Sequence, residues 1–216
     1  VGHGKKITFV EGGESLDTDL RTRNVFFEIF PFALGSFFGL IYLQSDIVFL
    51  SLLADNDKAA LYSASFSVMA AVYLLPTAVF NQYLLPKYHR WSIHDESKFL
   101  NVFRFGNASM FLLGVFIMIT IMIVSPFIIP FVFGDGFVDS ADILKWLSLC
   151  IPLRFLSSSV GGCLVTKNNM GRKVVYQGIV AVVNLILNFI LIPFYDVYGA
   201  IFSTVLSELL LLILAS

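Results

Sequence analysis

The chain has 216 residues, of which 57% are hydrophobic and 13% are charged, and its formal net charge is −1. Its mean hydropathy is +0.84. Soluble domains carry about 25% charged residues, so this composition excludes an ordinary soluble globular protein and indicates an integral membrane protein. We expect no nucleic-acid partner.

Six apolar stretches follow one another along the chain, and each is long enough to cross a bilayer as a helix. The expected spans are 25–53, 59–84, 102–129, 143–165, 174–193 and 199–215. Residues 1–24 are polar, and we expect them to form a water-exposed loop or an amphipathic lead-in to the first span, low in structure. The predicted fold class is an all-α integral membrane protein with six transmembrane helices. Because the chain begins at Val1 and its last span stops at Ser216 without a polar flank, we expect it to be part of a longer protein.

The segments between the spans differ in charge from one side of the membrane to the other. Taken alternately, one side carries eleven Lys and Arg residues, whereas the other carries two, together with six Asp residues. Short loops rich in Lys and Arg stay in the cytoplasm. We therefore expect residues 1–24 and the chain end to be cytoplasmic and the acidic turns to lie outside.

No signature of a soluble enzyme appears in the sequence. There is no phosphate-cradling glycine loop, no metal-binding His and Cys spacing and no nucleophile elbow. No loop is longer than about 20 residues, which leaves no room for an extramembrane catalytic domain. His3, His89 and His94 lie in segments expected to be cytoplasmic, and a metal role for them is not favoured. We expect the protein not to be an enzyme and to need no cofactor.

Polar residues inside the spans are the candidate functional residues. Asp46 lies well inside the first span, where a carboxylate costs roughly 2.5–3.5 kcal/mol on insertion scales and should face protein or water. Arg154 lies near the middle of the fourth span, and Glu208 lies inside the sixth. One interpretation is a hydrated cavity in which Arg154 attracts an anionic substrate and Asp46 carries a cation. The candidate cavity residues are Arg154, Asp46, Gln44, Asn184 and Asn188.

The alternative interpretation is structural. Asn184 and Asn188 are four residues apart and share one helix face, so they could simply hydrogen-bond neighbouring helices for about 0.6 kcal/mol each. We favour this reading for the Asn pair. A guanidinium as deep as that of Arg154 is harder to explain as packing. A salt bridge between Asp46 and Arg154 is a further option, since mutual neutralisation would lower the insertion cost of both.

The stretch from the fifth span into the sixth, NLILNFILIPFYDVYGAIFSTVLSE, resembles a family. It is similar to a stretch of polysaccharide flippases of the Wzx type, in the multidrug/oligosaccharidyl-lipid/polysaccharide (MOP) exporter superfamily. Asp46, the Leu75-Pro76 pair and the loop FVFGDGFVDSADILKWL are also similar in outline and in order. The residues that carry the resemblance in the first stretch are Asn184, Asn188, Ile192, Pro193, Tyr195, Tyr198, Gly199, Ala200 and Glu208.

The resemblance implies a MOP/MATE-like transporter with two six-helix lobes, of which residues 25–216 are the second lobe and residues 1–24 the inter-lobe segment. It implies flipping of undecaprenyl-pyrophosphate-linked oligosaccharides across the bacterial inner membrane for O-antigen lipopolysaccharide, capsule or exopolysaccharide synthesis. The implied partners are that substrate, membrane lipids, and the polysaccharide polymerase and chain-length proteins. A proton or Na⁺ gradient acting through Asp46 is the hypothetical driving force for transport. The family often has a basic residue beside this Asp, where this chain has Gln44 and Ser45.

Two other functions compete with the flippase. A cation-coupled exporter of small molecules, such as a drug antiporter of the same superfamily, would be favoured by further buried acids in the other lobe. A membrane polysaccharide polymerase would need a long external loop with Arg or His, and these six spans have none.

Overall fold

The computed structural model describes residues 13–79, 82, 96–166 and 170–215. Helices make up nearly all of this part of the chain, and no strand occurs in it. A 3-10 helix at Asp135–Phe137 lies between the third and fourth α-helices. The α-helices are α1 (Gly13–Leu53), α2 (Asn56–Val79), α3 (Glu96–Phe133), α4 (Ser140–Leu147), α5 (Cys150–Thr166) and α6 (Met170–Ala215).

Helix α1 begins earlier than the sequence suggested. It starts at Gly13, so residues 13–24 are helical rather than low in structure, and the prediction was wrong for them. Nothing between Glu14 and Asn24 breaks a helix, because this stretch has no Gly or Pro. The apolar part of α1 then continues the same helix towards Leu53. The prediction for residues 1–12 lies outside the described residues.

The expected span 143–165 is broken into two helices. Helices α4 and α5 meet at Ser148 and Leu149 with a bend of 40°. Pro152 explains the break, because proline lacks the N–H that would bond the Ser148 carbonyl and its ring crowds that carbonyl. The backbone instead makes tight i to i+3 bonds, from the Leu149 N–H to Trp146 O at 3.2 Å and from the Ile151 N–H to Ser148 O at 2.9 Å.

Helix α6 contains a reversal. Asp196 has φ 53° and ψ −128°, which no helix accommodates. Asn188 and Thr204 lie eight residues to either side of it, about 24 Å apart along a straight helix. Both donate hydrogen bonds to the same carboxylate, that of Asp46. The segments 170–195 and 197–215 therefore fold back against each other, and the reversal falls at residues 194–198, between the fifth and sixth expected spans.

Four helices in the described part of the chain are long and apolar enough to cross a membrane, or five if α4 and α5 form one span. This counts α6 as a single helix, whereas its two segments lie where the fifth and sixth spans were expected. Apolar side chains on these helices point outwards, for example Phe131, which is 90% exposed. Together these helices indicate an integral membrane protein. The two-lobed architecture stays a prediction.

The helices pack around one main core and a smaller cluster. The closest associations are α1 with α6, α3 with α5 and α5 with α6. Leu50, Tyr62, Met69 and Phe155 are fully buried in the main core. This packing brings α1, α2 and both segments of α6 to one place, which is where the polar side chains gather.

Candidate functional site

Polar side chains from four helical segments meet around Asp46. We call the group Ser45, Asp46, Tyr62, Asn184, Asn188 and Thr204 the Asp46 cluster. The reversal in α6 assembles it, because Asn184 and Asn188 come from the segment before Asp196, and Thr204 comes from the segment after it. Asp46 is 1% exposed, and both Asn residues are fully buried. The cluster therefore lies inside the protein rather than against lipid.

The Asp46 carboxylate accepts three hydrogen bonds. Tyr62 donates its hydroxyl at 2.6 Å, and Thr204 donates its hydroxyl at 2.5 Å, both to Oδ2. The Asn188 amide donates to Oδ1 at 2.6 Å. All three donors are neutral, so the side chains that bond Asp46 in the described part of the chain leave its negative charge uncompensated. Burying such a charge is costly unless a cation accompanies it.

The two Asn residues connect Asp46 to Ser45. Ser45 donates to Asn184 Oδ1 at 2.7 Å, and the Asn188 amide reaches the same oxygen at 3.2 Å. Two buried atoms, Asn184 Nδ2 and Asn188 Oδ1, have no hydrogen-bond partner in the described structure. A buried amide oxygen without a donor has spare capacity for a cation or a proton donor.

Thr204 has a choice of acceptors. Its hydroxyl lies 2.5 Å from Asp46 Oδ2 and 3.0 Å from the Ala200 carbonyl, but it has only one proton to donate. With Asp46 ionised, Thr204 donates to the carboxylate. With a proton on Asp46, the carboxyl donates to Thr204 and the threonine proton turns to Ala200. The site can thus accommodate both protonation states of Asp46 without moving a helix.

Arg154 belongs to a second group, the Arg154 cluster: Tyr42, Tyr73, Arg154, Ser157 and Glu208. Its Nη1 lies 3.1 Å from Glu208 Oε1, and Glu208 is fully buried. Ser157 donates to the other Glu208 oxygen at 3.4 Å. The suggested salt bridge with Asp46 was wrong: α5 and the end of α6 pack together, so the nearer acid is Glu208, and Asp46 bonds neutral donors instead.

Aromatic rings complete the surroundings of Arg154. The guanidinium carbon lies 5.3 Å from the centre of the Tyr73 ring and 6.0 Å from that of Tyr42. These distances suit cation–π attraction. Tyr42 also connects the two clusters, because its hydroxyl donates to the Thr204 carbonyl at 3.5 Å. The clusters are therefore neighbours: Tyr42 of one contacts Thr204 of the other, and both include a residue from the second segment of α6.

Of the predicted cavity residues, the structure brings Asp46, Asn184 and Asn188 together and places Arg154 in the adjoining cluster. Gln44 is exposed on α1, apart from both groups. Ser45, Tyr42, Tyr73 and Thr204 were not selected from the sequence. Spacing offered a signal for Tyr42, which lies four residues before Asp46, and for Thr204, which lies four before Glu208, since such pairs share a helix face. His3, His89 and His94 lie outside the described residues.

We compared the chain with known proteins. No family model, curated protein or solved structure matches it. The resemblance to the flippases therefore rests on the sequence stretches alone, and the two clusters are the structural features that bear on function.

Proposed function

We propose that the chain is one lobe of a membrane transporter that couples movement of its substrate to a cation held at Asp46. The observation that carries this proposal is the environment of Asp46, a buried carboxylate with three neutral hydrogen-bond donors. Intramembrane acids without a basic partner are typical of proton and ion pathways. Binding and release of a cation there would change the charge at the point where α1, α2 and both segments of α6 meet.

Two cations suit this site. A proton suits it because Thr204 can exchange between two acceptors when Asp46 changes state. Na⁺ suits it because the cluster is rich in oxygens, including the carboxylate, the hydroxyls of Tyr62 and Thr204, and the unpartnered Asn188 Oδ1. Hard cations prefer such oxygen ligands. Purified protein tests the choice, because Na⁺ but not K⁺ at constant pH should raise its melting temperature if Na⁺ is the ligand.

The substrate that we propose is an oligosaccharide linked to undecaprenyl pyrophosphate, moved from the cytoplasmic to the periplasmic leaflet of a bacterial inner membrane. The support is the resemblance of the stretch from Asn184 to Glu208, together with Arg154 as a deep cation that suits a pyrophosphate. In this proposal, residues 1–24 lie in the cytoplasm and a second lobe completes the cavity. Rocking of the lobes exposes the site to each side in turn.

Gene deletion in the host tests the proposed substrate. Surface polysaccharide and the lipid-linked oligosaccharide of the cytoplasmic leaflet are measured in the deletion strain and after complementation. Loss of surface glycan with accumulation of intact lipid-linked units supports the flippase. Single repeat units on surface lipid A, in place of long chains, would identify a polymerase instead.

Asp46→Asn is the variant that tests coupling. The amide keeps the size of the side chain but removes its charge, so we expect export of surface glycan to fall to near the level of the deletion strain while the protein is still made. The matched control is Asp135→Asn, because Asp135 is an exposed acid outside the long helices. Wild-type export by the Asp46→Asn protein would refute coupling through Asp46.

The second candidate is a cation-coupled exporter of small molecules. One observation favours it, namely that the lobe buries two acids, Asp46 and Glu208, and only Glu208 is paired with a basic residue in the described structure. In that case the deletion strain would keep normal surface glycan and become more sensitive to cationic drugs.

A further inference from the structure

A pocket opens beside the Arg154 cluster, between α2, α5 and the two segments of α6. Its volume is about 200 Å³, far more than the ~10–15 Å³ that one water needs. Arg154 and Lys173 line it together with hydroxyl and amide groups from Ser157, Tyr176 and Gln177. The pocket is thus a polar space within a lobe whose outer surface is largely apolar.

The charges around this pocket have one sign. Two basic residues, Arg154 and Lys173, are in the described lining of the pocket, and that lining contains no Asp or Glu. They come from different helices, Arg154 from α5 and Lys173 from the first turn of α6. Two cations from different helices, in one pocket with neutral hydrogen-bond donors, form a set of groups that suits an anion with several oxygens.

Glu208 contacts Arg154 from outside the pocket. It lies outside the pocket lining, is fully buried and bonds Arg154 at 3.1 Å, while Arg154 itself keeps a quarter of its side chain exposed. Arginine has five N–H donors in a planar fork. Because Arg154 also lines the pocket, the donors that Glu208 does not use are available to a ligand there. Glu208 therefore supplies an internal negative charge that an anion in the pocket must compete with for the guanidinium.

We propose that this pocket binds a phosphate or pyrophosphate group, with Arg154 and Lys173 as its two cationic anchors and Glu208 as the internal competitor for Arg154. Identifying that group with the head of the transported lipid rests on the proposed function. Lys173 belongs to residues 166–173, between the fourth and fifth expected spans, and these residues are on the Lys- and Arg-rich side that we expect to be cytoplasmic. The site is therefore placed to receive a ligand from that side. When the anion binds, it shares Arg154 with Glu208, which weakens the contact between α5 and the second segment of α6.

Binding of inorganic pyrophosphate to the purified full-length protein in detergent tests the proposal. Affinity is measured by titration calorimetry at low salt for the wild type, Arg154→Gln, Lys173→Gln and Glu208→Gln. We expect Arg154→Gln and Lys173→Gln each to weaken binding about tenfold, since each removes a charge-assisted contact. Glu208→Gln should tighten it several-fold because the competitor is gone. Lys145→Gln is the matched control, since Lys145 is paired with Asp142 on α4, away from the pocket.

Lys173→Gln tests the pocket without disturbing the buried Arg154–Glu208 pair, so misfolding is not expected of this variant. Gel filtration checks the folding of every variant. A second arm compares farnesyl pyrophosphate with farnesol. Tighter binding of farnesyl pyrophosphate than of inorganic pyrophosphate, with no binding of farnesol, indicates a lipid headgroup. Equal binding of both pyrophosphates indicates a soluble phosphate. Absence of pyrophosphate binding, or equal affinity in Lys173→Gln and wild type, overturns the proposal.

Asp46→Asn separates this proposal from the proposed function. It should abolish transport yet keep the wild-type affinity for pyrophosphate, since Asp46 does not line the pocket. If pyrophosphate does not bind while the gene deletion still blocks export of glycan, the pocket assignment fails and the transport function stands. If the variants behave as expected while the deletion leaves glycan unchanged, the pocket stands and the flippase fails.

Discussion

Asp196 shows how one residue fixes the direction of the chain. Its φ of 53° and ψ of −128° are those of the first central residue of a type II′ turn, a position that favours glycine. The side chain makes an ion pair with Lys58 at 2.8 Å, but both groups are about half exposed, so the pair contributes little. The turn therefore holds a strained backbone that the surrounding packing stabilises.

Asp196→Gly should stabilise the protein, because glycine adopts this conformation without the strain of a Cβ. We expect a gain of about 1 kcal/mol, seen as a higher melting temperature in detergent. Asp196→Asn removes the charge but keeps the strain, and it is the control that should melt close to wild type. A melting temperature for Asp196→Gly below that of Asp196→Asn would contradict this account.

At the scale of elements, small residues decide how closely helices approach. A Cβ added to Gly114 on α3 would lie 2.7 Å from the Cα of Pro152 on α5. Pro152 thus has two roles, since it breaks the expected span between α4 and α5 and its backbone also lies against Gly114 on α3. The close approach of helices at glycine is a general feature of packing in membranes.

Gly114→Ala should push α3 away from α5, because the atom that it meets belongs to the backbone and cannot rotate aside. We expect a loss of about 1–3 kcal/mol, measured as a lower melting temperature in detergent. Gly39→Ala on α1 is the control, since a Cβ there meets nothing within 4 Å. Equal melting temperatures for the two variants would show that α3 and α5 do not pack as described.

At the scale of the whole molecule, the outer surface differs from that of a soluble protein, and polar clusters lie within the apolar core. Buried positions include Asp46, Asn184, Asn188 and Glu208, whereas the outer surface carries Phe, Leu, Ile and Val. Lipid is the solvent that makes this arrangement stable, since it accepts apolar side chains and gives polar ones no hydrogen bonds. Polar groups therefore gather inside, where the helices supply partners.

Substitution of one buried and one exposed phenylalanine tests this distribution of apolar residues. Phe155 is fully buried, and Phe155→Ala should cost about 3–5 kcal/mol because it leaves a cavity in the core. Phe131 is 90% exposed, so in lipid or detergent Phe131→Ala should change stability by less than about 0.5 kcal/mol. Melting of both variants in the same detergent compares them. A larger loss for Phe131→Ala would indicate that a partner covers that surface.

Local patterns predicted a large part of this fold. Long apolar runs gave the helices, the turn at residues 194–198 contained the reversal, and the buried acid in α1 was visible as Asp46. These features depend on composition within about 20 residues, which the sequence displays directly. The break between α4 and α5 was also encoded locally, in Pro152, but an apolar run long enough to span masked it.

The sequence by itself determined that this chain is helical and apolar, and which polar residues its helices carry. Only the tertiary structure decided which of them meet. Arg154 pairs with Glu208, 54 residues away, and Asp46 bonds Thr204, 158 residues away. The physical reason is range: a helix forms from neighbours four residues apart, whereas a buried polar group takes whichever partner the packing of other helices brings within 3 Å.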